Sequence, residues 1–282
     1  MKIGIIGAGR VGGALAIALS KRNFPVYIAS RHKENADFIA SISNAQSASI
    51  KYASQQCDVV LLTVTDSAIK SVAEQIASFL NREQVVMHTS GALSSKIISL
   101  LNAHTGSLHP LKSFANSQDA AKSLEGTIFT FEGSKKAETV AREIVKALKG
   151  KFVKINSKDK VLYHLAAVLT ANYTVTLFSL SQEILESIGF SDKDAKESLS
   201  ILLKGVAKNI EKNGADNALT GPILRGDAET IKMHLNAIKD KNIRDIYISL
   251  AFATLKTAER RGLDKRKIDL IRKVLNGQNY RT

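Results

Sequence analysis

The sequence predicts an α/β chain: a doubly wound sheet over residues 1–156, followed by an all-helical domain over residues 157–282. Three observations predict it. Apolar strand-like runs alternate with helical patterns as far as about Asn156. Glycines at Gly7, Gly9 and Gly12 join the first strand to the first helix. Beyond Asn156 the strand patterns stop and long apolar helical periodicities take over.

The first strand carries Ile3, Ile5 and Ile6, and the helix after it carries Ala14, Leu15, Ile17, Ala18 and Leu19. Between them Gly7, Gly9 and Gly12 stand at G-x-G-x-x-G spacing, with Arg10 and Val11 opening the helix. This order is what dinucleotide binding requires. Gly7 permits the tight turn, Gly9 lets a pyrophosphate approach the backbone, and Gly12 lets helix and strand pack closely. The pyrophosphate then meets the free N–H groups at the positive end of the helix. We therefore expect a Rossmann sheet.

The second strand, Phe24 to Ala29, runs into Ser30-Arg31-His32-Lys33. An NAD site would place Asp or Glu near here for the ribose 2′-hydroxyl. A hydroxyl followed by potentially cationic side chains suits a 2′-phosphate instead, so Ser30 and Arg31 point to NADP(H). A solvated basic loop is the competing reading.

Asp58 to Val64 is a continuous apolar run of the kind a strand buried on both faces shows. Thr65-Asp66-Ser67 ends it and can cap a helix from Ala68 to Leu80. Gln84 to His88 is the next strand, followed by Thr89-Ser90-Gly91-Ala92 and a helix through about Leu101. Gly106 to Pro110 is a short strand and turn, and strands at Thr127–Phe131 and Lys151–Ile155 bracket a helix from Lys136 to Leu148. Ser157 to Ile188 then reads as one long apolar helix ending at Gly189, a C-cap residue type. Further helices are expected from Ser191-Asp192, over Asp227–Ile238 and over Asp245–Arg260, with a loop at Asn213–Asp227. So long an apolar helix suggests a homodimer formed through the helical domain.

Composition narrows the class. No apolar run is read as long enough to span a bilayer, and the glycine-rich start is unlike a signal peptide, so no membrane partner and a cytoplasmic location are expected. The single cysteine, Cys57, excludes an internal disulfide framework and a cysteine-rich zinc site. No His/Asp/Glu set has ligand spacing, so no metal is expected. The net charge is +14, but residues 1–156 carry 19 basic and 11 acidic side chains and the remainder 21 and 15. An excess so evenly spread, without a nucleic-acid motif, argues against nucleic acid and suits anionic small ligands.

Several landmarks together carry a resemblance: Gly7-Ala8-Gly9-Arg10-Val11-Gly12, Ser107-Leu108-His109-Pro110-Leu111, Tyr163-His164-Leu165-Ala166-Ala167, Ala171-Asn172-Tyr173, and Thr220-Gly221-Pro222 with Arg225-Gly226-Asp227. Over nearly its whole length the chain resembles the Rossmann-like oxidoreductases whose helical C-terminal half is catalogued as a domain of unknown function. That group looks like a branch of the superfamily of 6-phosphogluconate dehydrogenase, ketopantoate reductase and pyrroline-5-carboxylate reductase. Some members are similar to an alternative ketopantoate reductase of pantothenate synthesis, which implies NADPH-dependent reduction of 2-dehydropantoate to pantoate. One departure stands out. Hydroxyacid dehydrogenases of this superfamily often carry a helical Lys with an Asn four residues later, whereas Asn172 has Val168 at that spacing. No catalytic lysine carries over.

Reducing a ketone needs a hydride source near the carbonyl carbon, a proton donor for the developing alkoxide, and a clamp for the carboxylate. Ligands bind beyond the carboxyl ends of the strands, which places Thr65, Ser90 and the His109-Pro110 turn around cofactor and substrate. His109 is the first candidate for the general acid, because imidazole titrates near working pH; a structural histidine is the alternative. His164 and Asn172, eight residues apart on one apolar helix, are candidates to position the reacting groups, or else a satisfied core pair. Lys112 or Arg225 could hold the carboxylate of a 2-oxo acid, Arg225 from its own or a partner subunit, or both could be solvated charges. The remaining readings are a cyclic imine reductase of the pyrroline-5-carboxylate type and a non-catalytic NADP-binding sensor.

Overall fold

The computed structural model describes residues 1–277. Eight strands form one sheet: β1 (Ile3–Ile6), β2 (Val26–Ala29), β3 (Gln46–Ser47), β4 (Val59–Leu62), β5 (Val85–His88), β6 (His104–Pro110), β7 (Ile128–Gly133) and β8 (Lys151–Lys154). Their spatial order is β3-β2-β1-β4-β5-β6-β7-β8, and every neighbouring pair is parallel except β6 with β7. β1 therefore has β2 on one side and β4 on the other, so the strand order reverses there and opens a crevice at the carboxyl ends.

The uninterrupted apolar runs follow from helices on both faces. Ile3, Ile5, Val59, Leu61, Val85 and Met87 face a core shared with α1 (Arg10–Ser20), α2 (Lys33–Ser41) and α6 (Lys135–Ala147). Ile6, Val60, Leu62 and Val86 face a second core completed by α3 (Ile50–Gln56) and α4 (Ile69–Ile76). Alternate residues of each strand thus meet different helices, and neither set can be polar. α5 (Ser117–Lys122) lies in the connection that brings β7 back antiparallel to β6.

Several local expectations change. Thr65 makes no side-chain cap; a 3₁₀ turn at Asp66–Ala68 leads into α4 instead. The helix expected after Ala92 is a 3₁₀ turn at Ser95–Ile98, with the Ala92 and Leu93 N–H groups bonded to Ser90 Oγ and the Ser95 N–H to Glu132. The single helix expected over 157–188 breaks at Ala171 (φ −97°, ψ −62°) into α7 (Lys160–Thr170) and α8 (Asn172–Ser187). By length and composition alone Ser157–Ser187 is apolar enough to cross a membrane, which corrects the reading that no run is long enough.

Two compact units divide between Tyr173 and Thr174, later than the 156/157 boundary read from where the strands end. α7 is the reason: its first residue, Lys160, is buried against Ser90 and Ser107 of the sheet unit. The second unit holds most of α8, then α9 (Asp192–Ala218), α10 (Pro222–Arg225), α11 (Ala228–Ala237), α12 (Lys241–Arg260) and α13 (Lys265–Leu275). Ile223, Ile231, Leu255, Ile268 and Ile271 form its core. α8 buries no residue and α9 buries only Ala195, leaving their apolar side chains in solvent.

Candidate active site

The glycine turn is built as the spacing demands. Gly7 has φ +118°, a conformation open to glycine at little cost. A Cβ on Gly12 would stand 1.9 Å from the Gly7 carbonyl oxygen, so helix and strand meet there with no room for a side chain. Above Gly9 nothing lies within 4 Å of where a Cβ would be. Gly9 is the N-cap of α1 and offers no side chain to its first N–H groups, which leaves them to an anion. The Thr63 hydroxyl donates to the Gly7 carbonyl at 2.7 Å and fixes the turn from β4.

A cavity of about 650 Å³ opens on this turn, lined by Gly7, Gly9, Ser30, Arg31, Asn35 and Thr65 among others. The structure thus gathers the two glycines, Ser30, Arg31 and Thr65 as expected, while Arg10 and Val11 open α1 beside them. Asn35 and Thr63 were not singled out in the sequence. Thr63 had a signal: it is a hydroxyl inside the apolar run of β4 and its flank. These residues fit a dinucleotide, because room, unpaired N–H groups and cationic side chains coincide.

Beyond the ends of β5 and β6 lies a second polar group of residues. Ser107 and His109 alternate along β6 and share one face with Glu132 and Thr130, their partners across β7. His109 Nδ1 lies 2.7 Å from the Tyr163 hydroxyl, and its ring stands edge-on to His164 at a centroid distance of 6.5 Å. A Cβ on Gly91 would be 2.9 Å from His109 Nε2 and 2.9 Å from His164 Nδ1, so both imidazoles converge on this residue. His164 Nδ1 is buried without a hydrogen-bond partner.

Lys160 is the residue the sequence reading passed over. It is 1% exposed, and its ammonium donates to the Ser90 carbonyl at 2.8 Å and to Ser107 Oγ at 2.6 Å. Burial brings it down to about 8, against the pull of Glu132 and Asp66. Glu132, itself buried, accepts from the Ser95 N–H and hydroxyl. Burial also pushes His88 and His109 down to about 4, with the Lys160 charge next in effect, while burial raises the Tyr163 phenol.

Other expected residues sit differently. Ser90 is buried; its hydroxyl donates to Asp66 at 2.8 Å and accepts from the Ala92 and Leu93 N–H groups, so it shapes the turn rather than facing a cofactor. Asn172 opens α8 beyond the break and is exposed, not on one continuous helix with His164. Lys112 is half-buried in the loop after β6. Arg225 belongs to the second unit, 4.0 Å from Asp227, with its side chain 65% exposed.

The buried imidazoles set an acid limit on stability. Their folded values near 4 lie below the ordinary 6.5, so between these pH values the unfolded chain binds more protons. Stability present above pH 6.5 is lost as pH falls toward 4, on the order of 2–3 kcal/mol for each imidazole. Thermal melts from pH 7.5 to 4.5 should show Tm falling already below pH 6.5, and His88→Gln should flatten that limb. A Tm that holds to pH 4.5 in the parent protein contradicts it.

A crevice at the strand-order reversal and a glycine turn with open N–H groups are the features of a Rossmann-like fold, with a titratable cluster in the same unit. The comparisons place both halves. Residues 1–112 match the Rossmann-like domain and residues 127–254 match the domain of unknown function DUF2520. Protein TM1727 from Thermotoga maritima is 28% identical, with a TM-score of 0.73 over 92% of this chain and 99% of that one. Plasmodium falciparum pyrroline carboxylate reductase, solved with NADP bound, is 15% identical, with a TM-score of 0.60 over 98% of this chain and 96% of its own, a likeness of fold. A glycerol-3-phosphate dehydrogenase [NAD(P)+] from Mannheimia succiniciproducens is 30% identical over 125 residues, 38% of this chain and 37% of that protein. The chain spans less than half the length of the curated relatives it matches.

Proposed function

We propose that this protein is an NADPH-dependent reductase of a small 2-oxo acid, with 2-dehydropantoate as substrate and pantoate as product. The observation that carries this reading is the convergence of His109 and His164 on Gly91, beside a dinucleotide crevice in the same unit. NADPH, when bound, supplies the hydride. Gly7, Gly9, Arg10, Val11 and Gly12 would seat its pyrophosphate, Ser30 and Arg31 would hold its 2′-phosphate, and Thr65 would line the same cavity. The Tyr163 phenol, kept protonated by burial, donates to His109 Nδ1 and leaves the imidazole proton on Nε2. That proton would pass to the substrate's carbonyl oxygen, and the balance is one ketone, one NADPH and one proton to one alcohol and NADP⁺. His109 works as a neutral acid and recovers its proton from solvent. His164 would position the oxygen, Asn172 would contact the nicotinamide amide or the substrate hydroxyl, and Lys112 would hold the carboxylate.

The coenzyme preference has its own test. A guanidinium on a phosphate is worth about 1.5–3 kcal/mol, so Arg31→Ala should reduce the NADPH-over-NADH preference about 10–100-fold. Dissociation constants for both coenzymes check this, and an unchanged ratio removes Arg31 from the 2′-phosphate site. A second copy of the chain is our proposed partner, seated on α8 and α9, where Val175 is 70% and Ile201 and Leu202 are each 64% exposed. Comparing kcat/KM for 2-dehydropantoate and for pyrroline-5-carboxylate tests the reaction class. The 2-oxo acid should lead by at least about tenfold, which is 1.4 kcal/mol; a lead for the imine overturns the assignment.

A further inference from the structure

We propose that the Ser90–Gly91 peptide is an oxyanion-binding element driven from behind by Lys160: the Gly91 N–H, with the His109 and His164 ring nitrogens, receives an oxygen of a carbonyl or carboxylate substrate. This deepens the reductase reading above and rests on it.

The geometry starts at the carbonyl of that peptide. Ser90 O accepts the Lys160 ammonium at 2.8 Å and the Ser107 hydroxyl at 3.2 Å. Charge drawn to the oxygen of a peptide strengthens the N–H at its other end, because hydrogen bonds in a chain polarise one another. In a trans peptide that N–H points away from the carbonyl, hence away from Lys160. Its neighbours are committed: Ser90 N–H to His88 Nδ1, and Ala92 and Leu93 N–H to Ser90 Oγ. Among the described residues the Gly91 N–H has no protein acceptor.

What lies around Gly91 points to a ligand oxygen. His164 Nδ1, buried and unpartnered, and His109 Nε2 both stand 2.9 Å from where a Gly91 Cβ would be. Any side chain there would clash with the two imidazoles, so only glycine lets both ring nitrogens close on this peptide. The site also has a preferred sign. Lys160 is buried at its base, and its positive charge adds to the burial that does most to hold His88 and His109 low. A developing alkoxide is stabilised by the same field, and a protonated imine is not. Lys160 is thus a positioning residue acting through a peptide bond, and the site takes neutral and anionic carbonyl compounds.

Ser90–Gly91 is the only Ser-Gly step in the sequence, so protein made in a cell-free system with carbonyl-¹³C serine and ¹⁵N glycine shows the Gly91 amide alone in a carbonyl-filtered spectrum. The NADP⁺-loaded protein is titrated with oxalate, a planar dianion presenting carboxylate oxygens. The Gly91 amide proton should move downfield with the oxalate binding curve. Oxalate binding that leaves this resonance in place, or no oxalate binding by protein that holds NADP⁺, overturns the inference while leaving the reductase reading to its own assay. A protein that fails to bind NADP⁺ fails that reading first. The Lys160→Met variant should bind oxalate at least about tenfold more weakly, a loss of 1.4 kcal/mol, with NADPH affinity within about twofold. Equal oxalate affinity removes Lys160 from the mechanism.

Discussion

His109→Ala should lower kcat about 10²–10⁴-fold, the range for losing a positioned proton donor, while NADPH affinity stays within about twofold. The reason is placement. His109 sits near the carboxyl end of β6, its Nδ1 is engaged by Tyr163 and its Nε2 faces Gly91, which leaves Nε2 as the nitrogen that can meet a substrate. The glycine-rich cavity does not include it, and coenzyme affinity is therefore insulated from the change. Tyr163→Phe should give a smaller loss, on the order of tenfold, because the acid remains but its tautomer is no longer imposed. Steady-state kinetics with saturating NADPH separate these effects. Wild-type turnover in His109→Ala would remove it from the chemistry.

Gly12→Val should abolish measurable NADPH binding, with a loss of at least about 100-fold, or 2.7 kcal/mol. Its first added carbon would meet the Gly7 carbonyl oxygen at 1.9 Å and Thr63 Oγ1 at 2.4 Å, and the former is backbone that no rotamer change can clear. The chain must then part α1 from β1, which displaces the N–H groups that meet the pyrophosphate. Overpacking of this kind also costs about 1–3 kcal/mol of stability, so the melting temperature should fall with affinity. Gly9→Ala is the contrast: its Cβ enters open space, so folding should be retained and only ligand approach impaired. Calorimetric titration with NADPH across the three proteins checks the order. Near-normal binding by Gly12→Val would contradict the pyrophosphate assignment.

Much of the sheet unit was legible because its rules are local. Apolar runs covered by helices on both faces, and glycines at fixed offsets, have few alternative meanings, and β1, α1, β4 and β5 lie where those patterns put them. The antiparallel return of β7 was not legible, since strand direction depends on how residues 111–127 pack. Nor was the break at Ala171: Thr170, Ala171 and Asn172 carry no proline or glycine to announce it.

The candidate site divides along the same line. Ser30, Arg31 and the glycines follow the first strands closely enough for the fold to locate them. The histidine cluster required contacts over 54 residues of sequence, which spacing cannot supply. Lys160 did leave a trace. It stands three and four residues before Tyr163 and His164, so all three share one face of α7. What buries its ammonium, Ser90 and Ser107, lies 70 and 53 residues away, beyond what helix spacing can show. The surface apolar residues of α8 and α9 were anticipated only as an excess, because amphipathic patterns do not say what covers them.

The most direct test mixes purified protein with NADPH and 2-dehydropantoate and follows the absorbance of the reduced nicotinamide, with pantoate identified in the product. Oxidation that requires 2-dehydropantoate, matches pantoate formed one for one and collapses in His109→Ala is the predicted result. Tight NADPH binding with no consumption by 2-dehydropantoate, by other 2-oxo acids or by cyclic imines would contradict the reductase account and leave a protein that binds the coenzyme without using it.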